Sequence, residues 1–171
     1  MGTFVSRVDL RQVSEAQFLR EAVEMASLAS LRRPYDDAVL ASLRDNVARQ
    51  DAVGEHVPEF FELDEFFHRD LMRLAGHAQS WEFVATAKGH LDRARLLGLR
   101  TMPVSVDDRA GEHHQILDAI TEDRLEDAAD LLRRHLRSVF ADIEQIRAEE
   151  PDLFVSDPEA QPSLRTVAVW R

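Results

Sequence analysis

Four side chains of types that bind metals well occupy core-facing helical positions in this chain. Asp64 and His68 lie four residues apart in the run FELDEFFHRDLMRLAGH, residues 61–77, so one helix face would carry both. His113 opens an apolar row with the spacing i, i+3, i+4, i+7, and His135 lies in the middle of a second such row. The sequence therefore predicts that three helices direct a histidine inward and that one of them adds a carboxylate.

A divalent metal would explain these four residues together. Buried polar and charged groups are costly unless they are paired, and three neutral imidazoles with one carboxylate suit Zn, Ni, Mn, Co or Fe, with zinc as the first choice. The chain has no cysteine, so thiolate ligands are excluded. Any one of these residues alone would be read as an ordinary hydrogen-bonded core residue. Four in register favour a metal site.

Three further polar residues follow on the fourth predicted helix. His90 shares a helical row with apolar residues and is placed outside the metal ligands, as a ligand-binding, supporting or structural histidine. Arg93 and Arg95 come next, and an arginine beside a metal would suit the carboxylate of a small ligand through a two-pronged hydrogen bond. The alternative is that both arginines lie on a solvated face. His114 is predicted to face solvent.

These residues need helices to position them, and the pattern predicts an all-α protein. Apolar residues recur at three- and four-residue spacing, and short connections favour an antiparallel bundle of about six helices. A capping box at Ser14 is predicted for the first helix. The predicted helices run from about Val13 to Arg32, Asp36 to Ala52, Pro58 to Ala75, Ser80 to Leu99, Ser105 to Thr121 and Arg124 to Glu149. The tail, residues 151–171, is predicted to be a surface strap or partly disordered.

Length and charge limit the classes of function. A chain of 171 residues forms one domain with a real core. The 21 basic residues against 32 acidic ones give a net charge of -11, which disfavours direct contact with nucleic acid. No apolar run approaches the roughly 20 residues of a membrane span, and no secretory signal precedes the first helix. We expect a soluble cytoplasmic protein without a membrane partner.

Three segments together resemble a known family. AQFLREAVEMASLASL, ELDEFFHRDLMRLAGH and EHHQILDAITEDRLEDAADLLRRHL are similar, over about residues 10–150, to the FCD domain. This domain is the helical effector-binding half of FadR-subfamily GntR transcription regulators. In that family an Asp-x-x-x-His pair and a histidine on each of the last two helices hold a divalent metal. The resemblance thus implies the same role for Asp64, His68, His113 and His135. His114 and Glu122 depart from the usual family residues, but neither is a ligand position.

The first residues resemble another part of such regulators. GTFVSRVDL, residues 2–10, is similar to the end of a GntR wing strand and its linker, so residues 1–9 are interpreted as a remnant of a missing winged helix. The family logic implies a sensor that binds a metal and a small organic acid, forms a homodimer through the first and fourth helices, and contacts DNA only through the missing domain.

Two other functions remain open from the sequence. A metal-dependent hydrolase or oxygenase would use an open position on the ion to activate water. No obvious general base accompanies the ligands, because Glu112 and Glu65 are predicted to point away from His113 and Asp64. The third reading is a structural helical bundle whose histidines stabilise the core.

Overall fold

The computed structural model describes residues 7–54, 56–101 and 106–155, and these form a bundle of α-helices. The all-α prediction is confirmed. The described helices are α1 (Leu10–Ala29), α2 (Asp37–Val53), α3 (Val57–Leu74), α4 (Ser80–Ala87), α5 (Gly89–Thr101), α6 (Val106–Thr121) and α7 (Leu125–Glu149). A short 3-10 turn, Pro151–Leu153, follows α7. The helix beginning predicted at Ser105 falls outside the described residues.

The fourth predicted helix, Ser80 to Leu99, divides into α4 and α5 at Lys88. Glycine is a weak helix former, and Gly89 directly follows the break. The Lys88 side chain turns inward, where its Nζ lies 2.6 Å from Glu65 and 2.7 Å from Asp92. Helical periodicity continues across the break, so the apolar pattern alone did not reveal it.

The first helix begins three residues before its predicted start. The Asp9 carboxylate accepts a hydrogen bond of 2.9 Å from the Arg11 backbone N–H, and aspartate is among the best residues for capping a helix N-terminus. Ser14 consequently lies inside α1, and the capping box predicted there is wrong. The helix also ends at Ala29, before the predicted Arg32.

The apolar core consists of two main clusters along the bundle. The larger one joins α1, α2, α3, α6 and α7 and includes the fully buried Phe67, Ile120 and Leu132. The other includes Leu91 and Ile143 and lies where α1 and α5 contact α7. Along α7, His135 lies about one turn after Leu132 of the first cluster and one turn before Val139 of the second.

Helix α1 turns a polar face toward the protein interior. Gln17, Arg20 and Glu24 are between 0% and 3% exposed, although long polar side chains are seldom fully buried unless they are paired. The outer side carries Phe18 and Met25, which line an apolar groove of about 470 Å³ shared with α7. Helix α1 therefore supplies polar groups to the interior and leaves apolar ones near the surface.

The two ends of the described chain meet. The Val8 N–H donates to the Leu153 carbonyl at 2.8 Å, and the Val155 N–H donates to the Val8 carbonyl at 2.9 Å, which makes an isolated parallel bridge between Val8 and Phe154. Phe154 is 2% exposed, so the first part of the tail packs onto the bundle. Residues 1–6 and 156–171, the rest of the predicted remnant and tail, lie outside the described residues. Among the helices of the described part, none is long and apolar enough to cross a membrane.

Candidate metal centre

The four side chains predicted as metal ligands meet in the interior. Asp64 and His68 come from α3, His113 from α6 and His135 from α7. The first three are fully buried and His135 is 5% exposed. One donor atom from each residue lies within 4.8 Å of the others. The helical register assigned from the sequence thus brings these groups to one point.

The distances between the donor atoms are close to those of ligands that share an ion. The Nε2 atoms of His68 and His113 each lie 3.1 Å from Nε2 of His135. The Asp64 Oδ1 atom lies 3.6, 3.8 and 4.0 Å from the Nε2 atoms of His113, His68 and His135. Two ligands at about 2.1 Å from a zinc ion are about 3.0 to 3.4 Å apart. His135 is therefore already at ligand spacing from each of the other two imidazoles, and the carboxylate needs only a small movement.

Two of the imidazoles are oriented by carboxylates. The Nδ1 atom of His68 lies 2.6 Å from Oε2 of Glu24, and Nδ1 of His135 lies 2.7 Å from Oε2 of Glu112. An ionised carboxylate can only accept hydrogen bonds, so both Nδ1 atoms carry the proton. In the neutral ring the Nε2 atom then keeps its lone pair, on the side that faces the other candidate ligands.

The third imidazole is oriented by a chain of amides that ends at a backbone carbonyl. Asn46 Nδ2 donates to the Leu63 carbonyl at 3.0 Å, and Gln50 Nε2 donates to Asn46 Oδ1 at 2.7 Å. Because a carbonyl can only accept, the NH2 group of Asn46 must face Leu63, and this fixes which way both amide groups are oriented. Gln50 Oε1 therefore faces His113 Nδ1, at 2.7 Å. His113 must therefore donate from Nδ1, and its Nε2 lone pair also faces the centre.

The donor set fits a divalent cation. Three lone pairs converge with no proton assigned between them, and this arrangement is repulsive on its own. Asp64 Oδ1 is buried beside them without a hydrogen-bond partner among the described residues, which adds negative charge. Three nitrogens and one carboxylate oxygen form a site suited to a first-row transition metal, and the hydrogen bonds behind the imidazoles are those that usually support such ligands.

The protonation states also favour metal binding. Burial lowers the pKa of His113 well below its ordinary value and lowers the pKa of His135 to about 4, so both rings are neutral near pH 7. Burial opposes ionisation of Asp64, yet the Arg95 guanidinium holds the pKa of this carboxyl well below its usual range. Metal ligands must be deprotonated to bind, and these groups meet that requirement.

The residues predicted to contact a small ligand all lie on α5. Arg95 donates from Nη1 to Asp64 Oδ2 at 3.0 Å and stacks its guanidinium 4.3 Å from the centre of the Phe61 ring, so it fixes the carboxylate of the centre. His90 and Arg93 are half-buried, and His90 Nδ1 has no hydrogen-bond partner among the described residues. Contact of these three residues with an effector stays a prediction.

The adjacent histidine on α6 points outward. His114 is 45% exposed at its side chain and pairs with Asp51 at 2.9 Å. The fifth predicted helix therefore has the register assigned from the sequence, with His113 inside and His114 outside. Asp51 and Gln50 are neighbours on α2, so the exposed His114 pair is a useful control for the buried His113 pair.

Sequence reasoning missed the three groups that orient the imidazoles. Glu112 does point away from His113, as predicted, but it reaches His135 instead. Gln50 was assigned no role. The sequence does contain a signal for Glu24, because Gln17, Arg20 and Glu24 share one helical face that would otherwise be apolar. Polar residues on the buried face of an amphipathic pattern indicate a polar interior site.

Comparison with known proteins places the chain among transcription regulators. The FCD domain model matches residues 15–138. Over 170 residues the chain is 51% identical to an uncharacterized HTH-type transcriptional regulator in an unstable DNA locus of Streptomyces ambofaciens, covering 99% of this chain and 72% of that protein. It is also 26% identical over 156 residues to the HTH-type transcriptional repressor RspR of Escherichia coli (strain K12), covering 90% of this chain and 68% of the repressor.

Proposed function

Since the chain belongs to the FCD domain family, we propose that it is the metal-dependent effector-sensing domain of a GntR-type transcription regulator of the FadR subfamily. The metal ligands are Asp64, His68, His113 and His135. The observation that carries this proposal is the convergence of three imidazole Nε2 atoms beside a buried carboxylate oxygen that has no hydrogen-bond partner in the described part of the chain. Zinc is the first choice of ion, and Ni, Mn, Co and Fe also suit three nitrogens and one oxygen.

The effector in this proposal is a small organic acid. Among the charged side chains that contact the centre, Asp64 is paired with Arg95, Glu24 with Arg20, and Glu112 with Arg109. A divalent ion therefore leaves an excess of about two positive charges in a region of low dielectric, where charge must be neutralised. A carboxylate that joins the four protein ligands on the ion supplies the missing negative charge. His90, Arg93 and Arg95 on α5 are the proposed contacts of the acid.

The proposed output is a change in the arrangement of a homodimer. The apolar groove of α1 and the exposed Phe83 of α4, at 72% exposure, support an interface through the first and fourth predicted helices. DNA contact is assigned to a winged-helix domain of the parent regulator, since the net charge of -11 on these 171 residues disfavours it here. An effector that binds one dimer arrangement more tightly shifts the population toward it.

Binding is favoured over turnover because the carboxylates that contact the candidate ligand imidazoles are already engaged. Glu24 and Glu112 each accept a hydrogen bond from a ligand imidazole, so each orients a ligand and is not free to act as a general base. A metal-dependent hydrolase or oxygenase is therefore the weaker proposal.

Elemental analysis with a pair of variants tests the metal centre. The dialysed protein, purified without metal affinity, is expected to hold about one transition-metal ion per chain. His113→Ala should abolish this binding with the helical circular dichroism retained, while His114→Ala should leave it unchanged because that ring is exposed. A metal-free protein that takes up no added ion, or loss of metal in the His114 variant alone, would contradict the proposal.

A further inference from the structure

The three groups that orient the imidazoles differ in their exposure to solvent. Glu24 and Gln50 are each 1% exposed, so the surrounding helices hold them in place. Glu112, which orients His135, is 31% exposed at its side chain. A long side chain at such a position gains rotational freedom and hydration when it turns outward, which opposes its contact with the ring. Glu112 therefore needs a further contact to stay on His135.

Arg109 supplies that contact. It lies on α6, three residues before Glu112, and its Nη1 atom donates to Glu112 Oε2 at 3.3 Å. The same oxygen accepts from His135 Nδ1 at 2.7 Å. The Nη2 atom of Arg109 donates to Asp142 Oδ2 on α7 at 2.8 Å. Because a guanidinium is planar and rigid, contacts with both terminal nitrogens fix its direction. The Glu112 carboxylate is thus held between a fixed cation and the imidazole.

A second contact of the same guanidinium leads to the backbone of His135. Arg109 Nη1 also donates to Ser138 Oγ, and this hydroxyl donates to the His135 carbonyl at 2.6 Å. Arg109 is only 15% exposed at its side chain, although it carries a charge near the surface of the bundle. One arginine of α6 therefore reaches both the ring and the main chain of a residue on α7, through two different intermediates.

We propose that Arg109 is a positioning residue for the metal ligand His135, which it acts on through Glu112. By holding the carboxylate against the Nδ1–H group, it keeps the Nε2 atom directed at the centre. This inference rests on the proposed function, since it names a residue that orients one of the ligands of that metal centre.

The charge of Arg109 alone would have the opposite effect on the metal. A cation repels a divalent ion, so an arginine that acted only through its charge would weaken metal binding, and its neutralisation would tighten it. An arginine that positions Glu112 strengthens metal binding, and its neutralisation weakens it. The sign of the change in zinc affinity therefore distinguishes the two roles.

Competition for zinc with a chelating indicator measures this sign. Arg109→Met should bind zinc about fivefold more weakly, as expected for loss of one charged hydrogen bond at a partly exposed position. Arg133→Met is the matched control, because Arg133 lies on α7, pairs with Asp130 and Glu21 and is 37% exposed. It removes the same charge without touching Glu112, and its zinc affinity should be unchanged or slightly higher.

A double variant tests whether Arg109 acts through Glu112. Glu112→Ala alone should weaken zinc binding about 10- to 100-fold, because His135 loses its acceptor. Adding Arg109→Met to Glu112→Ala should change the affinity by less than about twofold, since no carboxylate is left to position. A further fivefold loss in the double variant would show that the two residues act independently and would overturn the proposal.

The tautomer of His135 provides a measurement that needs no metal. In the metal-free parent chain, nitrogen-15 NMR of the imidazole should show the proton on Nδ1, because Glu112 can only accept it. In metal-free Arg109→Met the ring should populate both tautomers, while Arg133→Met should match the parent. A ring that keeps its proton on Nδ1 without Arg109 would count against a positioning role.

Each remaining outcome also decides the assignment. Zinc affinity that is unchanged or higher in folded Arg109→Met overturns it. If that variant does not fold, Arg109→Gln, which keeps a polar side chain at this position, replaces it with the same expected loss. A parent chain that takes up no zinc contradicts the proposed metal centre, and the tautomer of His135 then still shows whether Arg109 orients this ring.

Discussion

Replacing Gln50 with leucine separates the orientation of a metal ligand from the ligand itself. Gln50 lies behind His113 and touches none of the other proposed ligands through the hydrogen bonds of its amide. In Gln50→Leu the His113 Nδ1–H loses its acceptor and Asn46 Oδ1 loses its donor. A ring without this acceptor is free to rotate or to carry its proton on Nε2, and in either case its lone pair no longer points to the centre.

The expected magnitudes follow from these two losses. Leaving a buried polar group unpaired costs about 1 to 3 kcal/mol, so the two losses should lower the free energy of unfolding of the metal-free protein by about 2 to 6 kcal/mol. Loss of a hydrogen bond behind a metal ligand usually weakens metal affinity about 10- to 100-fold. That range corresponds to about 1.4 to 2.7 kcal/mol of binding free energy.

Competition for zinc with a chelating indicator measures the affinity, and urea unfolding of the metal-free protein measures the stability. Gln50→Glu is the informative comparison, because it keeps an oxygen acceptor for His113 while depriving Asn46 Oδ1 of its donor. It should retain zinc affinity and lose stability. Asp51→Ala, which removes the acceptor of the exposed His114, should change neither quantity by more than about 0.5 kcal/mol.

One result would refute this reasoning about the ligand tautomer. If Gln50→Leu is folded and binds zinc as tightly as the parent chain, then the chain of amides does not set the orientation of His113. The Nε2 lone pair would in that case be directed by the helix and the neighbouring rings alone.

Three further predictions concern stability. Chelation should lower the melting temperature by about 5 to 10 °C relative to protein at free zinc of about 100 times Kd, since such saturation stabilises by about 2.7 kcal/mol; an unchanged calorimetric melt would argue against a native-state metal. Phe67→Ala should cost about 3 to 5 kcal/mol in urea unfolding, because Phe67 is fully buried and its ring lies 4.1 Å from that of His113. Lys88→Met should lower the free energy of unfolding by about 3 kcal/mol, because it leaves the Glu65 and Asp92 carboxylates without their counter-charge. A variant of parental stability in urea unfolding would show that water hydrates these carboxylates well enough without Lys88.

The sequence predicted which four side chains meet in the interior because helical periodicity determines which residues face the core. His113 and His114 are adjacent, yet only the first falls on the apolar row, and the structure places them inside and outside accordingly. Long-range partners such as Gln50 leave no such signal, since their role depends on which helices pack together. The break at Lys88 was missed for a related reason: the ion pairs that turn this side chain inward involve Glu65, which lies 23 positions earlier in the chain.

Lys88 also has a consequence for labelling chemistry. It is the only lysine of the chain, which has no cysteine, and its side chain is 6% exposed, with the ammonium between Glu65 and Asp92. Amine-selective reagents need an accessible, neutral amine, so among the side chains they can modify the protein only when the contacts of Lys88 with Glu65 and Asp92 open. The rate of acylation at this single position therefore reports how often the junction between α4 and α5 opens, without any engineered probe.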